Sequence, residues 1–111
     1  MLSSVKLFYP RYNTSEIIEK LKDGIEKIKN VDILKVVLFG SYSKGNYTGR
    51  SDIDVFFLVR KKNKNLYKII KKNILLFNLQ PHIFTDKEYL KMKEKFERML
   101  EKGIIVFEKR D

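Results

Sequence analysis

Cysteine is absent from this sequence of 111 residues, and proline occurs only twice. Without cysteine, disulfide bonds and thiolate metal sites are excluded. No apolar run approaches the roughly 20 residues that are needed to cross a membrane, and the first residues lack the long apolar stretch of a secretory signal. We therefore expect a soluble protein with a cytoplasmic location and no membrane contact.

Acidic residues are also scarce, and none occurs from Val55 to Thr85. The 24 Lys and Arg residues outnumber the 14 Asp and Glu residues, which gives a formal net charge of +10. Seven basic residues lie within the acid-free stretch: Arg60, Lys61, Lys62, Lys64, Lys68, Lys71 and Lys72. Such a block attracts polyanions, so a nucleotide, RNA or an acidic protein is a candidate partner. The alternative is a solvated basic helix face, and nucleic acid is not favoured because no reading motif is present.

Two apolar runs carry the polar residues of greatest interest. The first run ends in Gly40-Ser41, and the second begins with Asp52-Ile53-Asp54. Because side chains alternate between the two faces of a strand, we expect both carboxylates on one face, with their Cα atoms about 6.5–7 Å apart. Two carboxylates at this spacing can hold Mg²⁺, which prefers oxygen ligands.

The glycine-serine turn would add an anion site to these carboxylates. A strand that ends at Gly40 presents free backbone N–H groups, which bind phosphate well. Gly40 can take a positive φ angle and lets the backbone come close to a ligand. Lys44 and Arg50 follow in the loop and add positive charge, while Gly45 and Gly49 would keep that loop pliable. Each feature alone is typical of an ordinary turn or a polar strand face, but the combination indicates a phosphate-and-metal site.

This pattern resembles the signature of the DNA polymerase β-like nucleotidyltransferase superfamily. That signature consists of Gly-Ser, a short variable stretch, and then two acidic residues separated by a hydrophobic one. The short chain and the run Phe-Gly-Ser-Tyr-Ser-Lys-Gly before Ser-Asp-Ile-Asp are similar to the minimal nucleotidyltransferase branch. The resemblance is strongest from Leu34 to Val59 and extends over most of the domain.

The resemblance implies transfer of a nucleoside monophosphate, with AMP from ATP as the expected case, to a hydroxyl acceptor. Asp52 and Asp54 would be the catalytic pair that holds Mg²⁺. Gly40 and Ser41 would contact the triphosphate. Three further residues are candidates for nucleotide binding: Lys44, Arg50 and Ser51.

One departure from the family pattern bears on catalysis. Active members usually add a third acidic residue from a later strand, and the predicted strand from Ile74 to Phe84 contains none. Asn78, Gln80 or His82 would fill that position. Loss of the acid should reduce the chemistry more than nucleotide binding, because the third carboxylate is expected to activate the attacking hydroxyl. A neutral His82 could accept the proton instead, although a lone histidine at a strand end can also simply meet solvent or a backbone group.

A partner protein is expected, because a single domain of 111 residues leaves no room for a second substrate domain. The resemblance implies a small helical HEPN-type partner in a toxin–antitoxin pair, neutralised by binding or by addition of AMP. Two hypotheses remain. The chain is either an Mg²⁺-dependent nucleotidyltransferase that uses ATP, or a catalytically weak or inactive subunit that binds and neutralises its partner. Homo- and hetero-oligomers are both compatible with these hypotheses.

The periodicity of the sequence predicts one α/β (α+β) domain over residues 1–111. We expect a small mixed sheet of three or four strands with helices packed on one face, as in nucleotidyltransferases. The predicted extended segments are an arm at Val5 to Tyr9 and strands at Ile33 to Phe39, Asp52 to Val59, Ile74 to Phe84 and Ile104 to Glu108.

The helices are predicted from apolar stripes and capping residues. Asn13 and Glu16 form a capping-box pattern that opens a helix ending near Lys29. A short helix or turn is expected at Ser43 to Tyr47 and a short basic helix at Asn65 to Lys72. A second capping box at Thr85 to Glu88 opens a long helix, which Gly103 is expected to end as a C-cap.

Overall fold

The computed structural model describes residues 12–48 and 50–110. The arm predicted at Val5 to Tyr9 and the loop residue Gly49 lie outside the described residues. The helices are α1 (Thr14–Lys27), α2 (Ser41–Lys44), α3 (Leu66–Asn73), α4 (Asp86–Lys91) and α5 (Lys93–Met99). The strands are β1 (Ile33–Phe39), β2 (Ile53–Val59), β3 (Leu79–Thr85) and β4 (Ile104–Glu108). Among the described helices, none combines the length and apolar character needed to span a bilayer.

The four strands form one mixed sheet in the order β3-β2-β1-β4. Strand β1 runs antiparallel to β2 and to β4, whereas β2 and β3 are parallel. Parallel neighbours need a crossover connection, and α3 lies within it. Strand β3 is at an edge of the sheet, as Pro81 indicates, because proline cannot donate a ladder hydrogen bond. The predicted mixed sheet is confirmed.

Helices cover both faces of this sheet, so the expectation of helices on one face only was wrong. One core cluster joins α1 and α3 to residues of β2 that include Val55 and Phe57. A second cluster, on the other face, contains Val37, Phe56 and Phe96. Because both faces of the central strands are covered, these strands are apolar almost throughout rather than alternating.

The first helix has the predicted capping box. The Glu16 amide donates to Asn13 Oδ1 at 2.8 Å, and Glu16 Oε1 accepts from the Asn13 amide at 3.1 Å. Ile17 and Leu21 are fully buried against the sheet. The helix ends at Lys27, two residues before the predicted end.

The third strand is shorter than predicted, since β3 begins at Leu79 instead of Ile74. Ile74 and Leu76 are nevertheless buried, at 1% and 5% exposure. They fill the core from the connection after α3, where the Leu76 amide donates to the Ile74 carbonyl at 3.0 Å. An apolar run of this kind can be a buried connection as well as a strand, and periodicity alone does not separate the two.

The long helix predicted after Thr85 is divided into α4 and α5. Thr85 and Glu88 form the predicted capping box, but Met92 leaves helical geometry with φ −129° and ψ 39°. After this break, the Phe96 ring packs 5.7 Å from that of Phe56 and 4.6 Å from that of Phe84. The break between α4 and α5 therefore accompanies the packing of an aromatic cluster against the sheet.

Gly103 does not act as the predicted C-cap. In the turn between α5 and β4, the residue with a positive φ angle is Lys102, at 65°. A Cβ atom on Gly103 would lie 2.7 Å from Val37 Cγ1 and 2.8 Å from the Leu100 carbonyl oxygen. Gly103 is therefore required for close packing where the chain enters β4.

Candidate functional site

The turn after β1 approaches a carboxylate on the neighbouring strand. Gly40 has φ 77° and ψ −150°, a combination that is essentially restricted to glycine. A Cβ atom at this position would lie 2.7 Å from Asp54 Oδ2. Ser43 Oγ donates to the Gly40 carbonyl at 3.0 Å, which is a hydrogen bond within the turn. Gly40 thus permits both the backbone conformation and the contact with Asp54.

Strand β2 positions the second half of the predicted site. Asp54 pairs with Phe39 of β1 and with Gln80 of β3, and its side chain is 30% exposed. Asp52 precedes the strand and is exposed. Within residues 12–48 and 50–110, no group of three or more His, Asp or Glu side chains is arranged to hold a metal ion. The structure therefore places Asp54 beside the glycine turn, whereas Asp52 lies just before β2 and is exposed to solvent.

Asn78, Gln80 and His82 were the candidates for the third position. Of these, His82 on β3 contacts Asp54. Its Nε2 atom lies 3.1 Å from Asp54 Oδ1. Its ring packs edge-on against Phe39, with the ring centroids 5.0 Å apart. Gln80 lies opposite Asp54 in the strand register but is exposed. His82 therefore combines a polar contact with a packed, partly buried ring.

Asn78 is not in this group, because it lies before β3 and has another contact. Its Nδ2 donates to the Ser51 carbonyl at 3.3 Å, and its own carbonyl accepts from the Ile53 amide at 2.8 Å. These two bonds flank Asp52 in the chain. Asn78 thus bonds to the backbone on both sides of Asp52, whereas the sequence suggested it only as a substitute for an acid.

Ser51 closes the loop that leads to the carboxylates. Its Oγ accepts from the Thr48 amide at 2.8 Å, and its amide donates to the Thr48 carbonyl at 3.1 Å. The Arg50 amide donates to Thr48 Oγ1 at 3.2 Å. The Ser51 hydroxyl and amide are therefore engaged within the loop, and its predicted nucleotide contact stays a prediction.

The other predicted nucleotide-binding residues lie in α2 and in the loop that follows it. Ser41 is the first residue of α2 and is half-buried, whereas Lys44 and Arg50 are exposed. Over the described ranges, the ion pairs include none between either cation and Asp52 or Asp54. Both side chains are thus accessible to solvent.

Tyr42 anchors α2 in the core and is unavailable as a surface for base stacking. It is 4% exposed, and its ring stacks on Tyr47 with the centroids 4.3 Å apart. Burial, followed by the neighbouring Tyr47, raises the pKa of the Tyr42 hydroxyl. Thr14 Oγ1 donates to the Tyr42 carbonyl at 3.3 Å, which ties α2 to the start of α1.

Part of the basic block is engaged in contacts within the fold. Arg60 Nε lies 2.9 Å from Asp32 Oδ2, and Lys62 Nζ lies 3.0 Å from Glu88 Oε1. Lys71 Nζ donates to the Leu79 carbonyl at 2.8 Å. These contacts favour the interpretation of the block as a solvated and partly structural surface.

Comparison with solved structures supports the fold. A "putative nucleotidyltransferase" from Sulfolobus solfataricus superposes with a TM-score of 0.54 at 18% identity, covering 86% of this chain and 80% of that one. A toxin–antitoxin structure with AMP-PNP gives a TM-score of 0.55 at 21% identity, covering 89% of this chain and 76% of that one. At these identities the likeness concerns the fold alone, a mixed sheet with helices.

Comparison of sequences defines the family. Two proteins of Methanocaldococcus jannaschii, each named a "putative protein adenylyltransferase", are similar to this chain. One is 35% identical over 69 residues, which are 58% of this chain and 70% of that protein. The other is 26% identical over 99 residues, which are 86% of this chain and 99% of that protein. Residues 18–111 match the family described as nucleotidyltransferase domain. The resemblance drawn from Gly40-Ser41 and Asp52-Ile53-Asp54 is therefore confirmed, and the chain belongs to the nucleotidyltransferase domain family.

Proposed function

We propose that this protein is an Mg²⁺-dependent nucleotidyltransferase that transfers AMP from ATP to a hydroxyl group of a partner protein. The observation that carries the proposal is the close approach of the Gly40 turn to Asp54, where a Cβ atom would lie 2.7 Å from Oδ2. An anion-binding turn beside a carboxylate suits a metal-bound triphosphate. The names of the two Methanocaldococcus relatives support AMP as the transferred group and a protein as the acceptor.

The residues at this position fit a magnesium ion, because their donor atoms are carboxylate oxygens. Asp52 and Asp54 would hold the ion, which would neutralise charge on the triphosphate and orient it for displacement. The Gly40 turn and the Ser41 hydroxyl would bind phosphate oxygens. Lys44 and Arg50, which are exposed around the turn, would attract the polyanion. His82 would occupy the position of the third acid beside Asp54.

A second candidate function is a catalytically weak or inactive subunit that neutralises a helical HEPN-type partner by binding it. The observation in its favour is that His82, which is not an acid, contacts Asp54 where active relatives are expected to have a third carboxylate. The toxin–antitoxin complexes among the structural neighbours agree with either function. Both functions require a protein partner.

Transfer can be tested with the full chain, Mg²⁺, ATP labelled at the α-phosphate and the product of the neighbouring gene. We expect label on the partner protein, and a loss of about a hundredfold or more in Asp52→Asn and Asp54→Asn, because each removes an anionic ligand of the ion that would neutralise the triphosphate. Asp23→Asn, a change of an exposed acid on α1, is the matched control and should retain transfer.

Folding of the variants has to be measured alongside transfer. We expect Asp54→Asn to keep the thermal midpoint, since the amide oxygen can still meet His82 Nε2 and since removing one carboxylate relieves repulsion in the absence of metal. A stable complex with the partner but no label on it would contradict the enzyme and support the neutralising subunit. A large fall in thermal midpoint would instead assign Asp54 a structural role.

A further inference from the structure

We infer that His82 is a metal ligand, and that Asp54 and His82 together bind a divalent first-row transition-metal ion more tightly than Mg²⁺. This inference rests on the proposed metal and nucleotide site, but it concerns the identity of the ion and not the transfer reaction. The site would still accept Mg²⁺ through its carboxylates. The imidazole adds a nitrogen ligand to an otherwise oxygen-only set.

The separation of the two donor atoms matches a shared ion. Asp54 Oδ1 and His82 Nε2 are 3.1 Å apart. Two adjacent ligands of an octahedral ion, each about 2.0–2.2 Å from the metal, lie about 3 Å from one another. The two atoms now share a hydrogen bond, so an ion that displaces its proton could contact both of them.

The fold holds this pair in place before any ion binds. His82 and Asp54 are on adjacent, directly paired strands, and the edge-on contact with Phe39 at 5.0 Å packs the imidazole ring. The side chains are 39% and 30% exposed for His82 and Asp54, respectively. The two donors are thus positioned by the sheet while solvent and a ligand can still reach them.

The chemistry of the donors decides the preferred ion. Mg²⁺ prefers oxygen ligands and gives up water reluctantly, whereas imidazole nitrogen suits later first-row ions such as Co²⁺ and Zn²⁺. A third carboxylate would provide an all-oxygen set with one more negative charge. Replacement of that acid by His82 removes the charge and introduces nitrogen, and both changes weaken the advantage of Mg²⁺.

Direct coordination can be measured without any transfer reaction. The chain contains a single histidine, so tag-free protein labelled with ¹⁵N only in histidine marks His82 alone. Pulsed electron paramagnetic resonance of Mn²⁺, bound with a non-hydrolysable ATP analogue, should show a nitrogen coupling that changes from the ¹⁴N to the ¹⁵N pattern. The coupling should disappear in His82→Gln, which keeps a polar group near Asp54. Mn²⁺ binding without a histidine nitrogen coupling in the native chain would overturn the inference.

The metal preference provides a second, independent measurement. Calorimetric titration of Co²⁺ and Mg²⁺ into the native chain should give tighter binding of Co²⁺, and His82→Asp should reduce that preference by roughly tenfold or more. Asp23→Asn should leave it unchanged. Equal preference in the native chain and His82→Asp would contradict the inference.

These outcomes separate this inference from the proposed function. Co²⁺ binding that depends on Asp54 but not on His82 would overturn only the role of His82. Binding that depends on neither residue would contradict the proposed site as well.

Discussion

At the scale of single residues, the two glycines that flank α2 both have a positive φ angle but lie in different surroundings. Gly40 has φ 77° and ψ −150°, and a Cβ atom there would approach Asp54 Oδ2 to 2.7 Å. Gly45 has φ 81° and ψ 7°, the left-handed conformation, with no atom within 4 Å of a Cβ atom. Both replacements would be strained, but only one would disturb the carboxylate.

We expect Gly40→Ala to destabilise the protein by about 2–3 kcal/mol and to abolish the proposed nucleotide binding, because the added methyl group displaces Asp54. Gly45→Ala is the matched control and should cost about 1 kcal/mol with binding retained, because only the left-handed conformation is penalised. Urea denaturation and titration with an ATP analogue would measure the two effects. Equal loss of binding in both variants would contradict the specific role of Gly40.

The sequence predicted two residues of the candidate site and left the residue at the third position open. Gly40 and Asp54 could be predicted because the turn and the strand alternation are local properties. The choice among Asn78, Gln80 and His82 could not be made, because it depends on where β3 begins and how it pairs with β2. The structure begins β3 at Leu79, which excludes Asn78 from the strand and brings His82 to Asp54.

At the scale of secondary-structure elements, the two helix starts marked by capping boxes were better predicted than helix lengths. The capping boxes at Asn13 and Thr85 both form, because each involves residues only three positions apart. The break at Met92 has no comparable local signal. It accompanies the packing of Phe96 on the sheet, which depends on residues far away in the chain.

We expect Thr85→Ala to lower the free energy of unfolding by about 1 kcal/mol, because it removes the side-chain acceptor of the Glu88 amide at the start of α4. Ser15→Ala, which removes an exposed hydroxyl within α1, is the control and should change stability by less than about 0.5 kcal/mol. Urea denaturation of both variants measures the difference. Equal stability of Thr85→Ala and the native chain would show that the cap contributes nothing.

At the scale of the whole molecule, one acid links the ends of three strands. Asp32 precedes β1, and its carboxylate contacts Lys109 Nζ at 2.6 Å and Arg60 Nε at 2.9 Å. Arg60 follows β2 and Lys109 follows β4. Hydrogen bonds from Lys109 and then Arg60 hold the pKa of Asp32 below its usual value.

A lowered pKa in the folded state means that Asp32 stabilises the fold above its ordinary pKa, near 3.8, and that this contribution is lost as the pH falls through the folded-state value. We therefore expect the native chain to exceed Asp32→Asn in urea midpoint at pH 7, with the difference disappearing toward pH 2. High salt should also reduce the difference in midpoint, since the ion pairs of Asp32 with Lys109 and Arg60 are exposed to solvent. A difference independent of pH would contradict an electrostatic origin.

The sequence by itself determined the glycine turn, the place of Asp54 in β2 and both capping boxes, because each is fixed by residues close together in the chain. Only the tertiary structure decided that helices cover both faces of the sheet and that His82 meets Asp54. Those two residues are 28 positions apart. Their contact depends on the register of β2 against β3, which is set by packing across the whole sheet rather than by any local pattern.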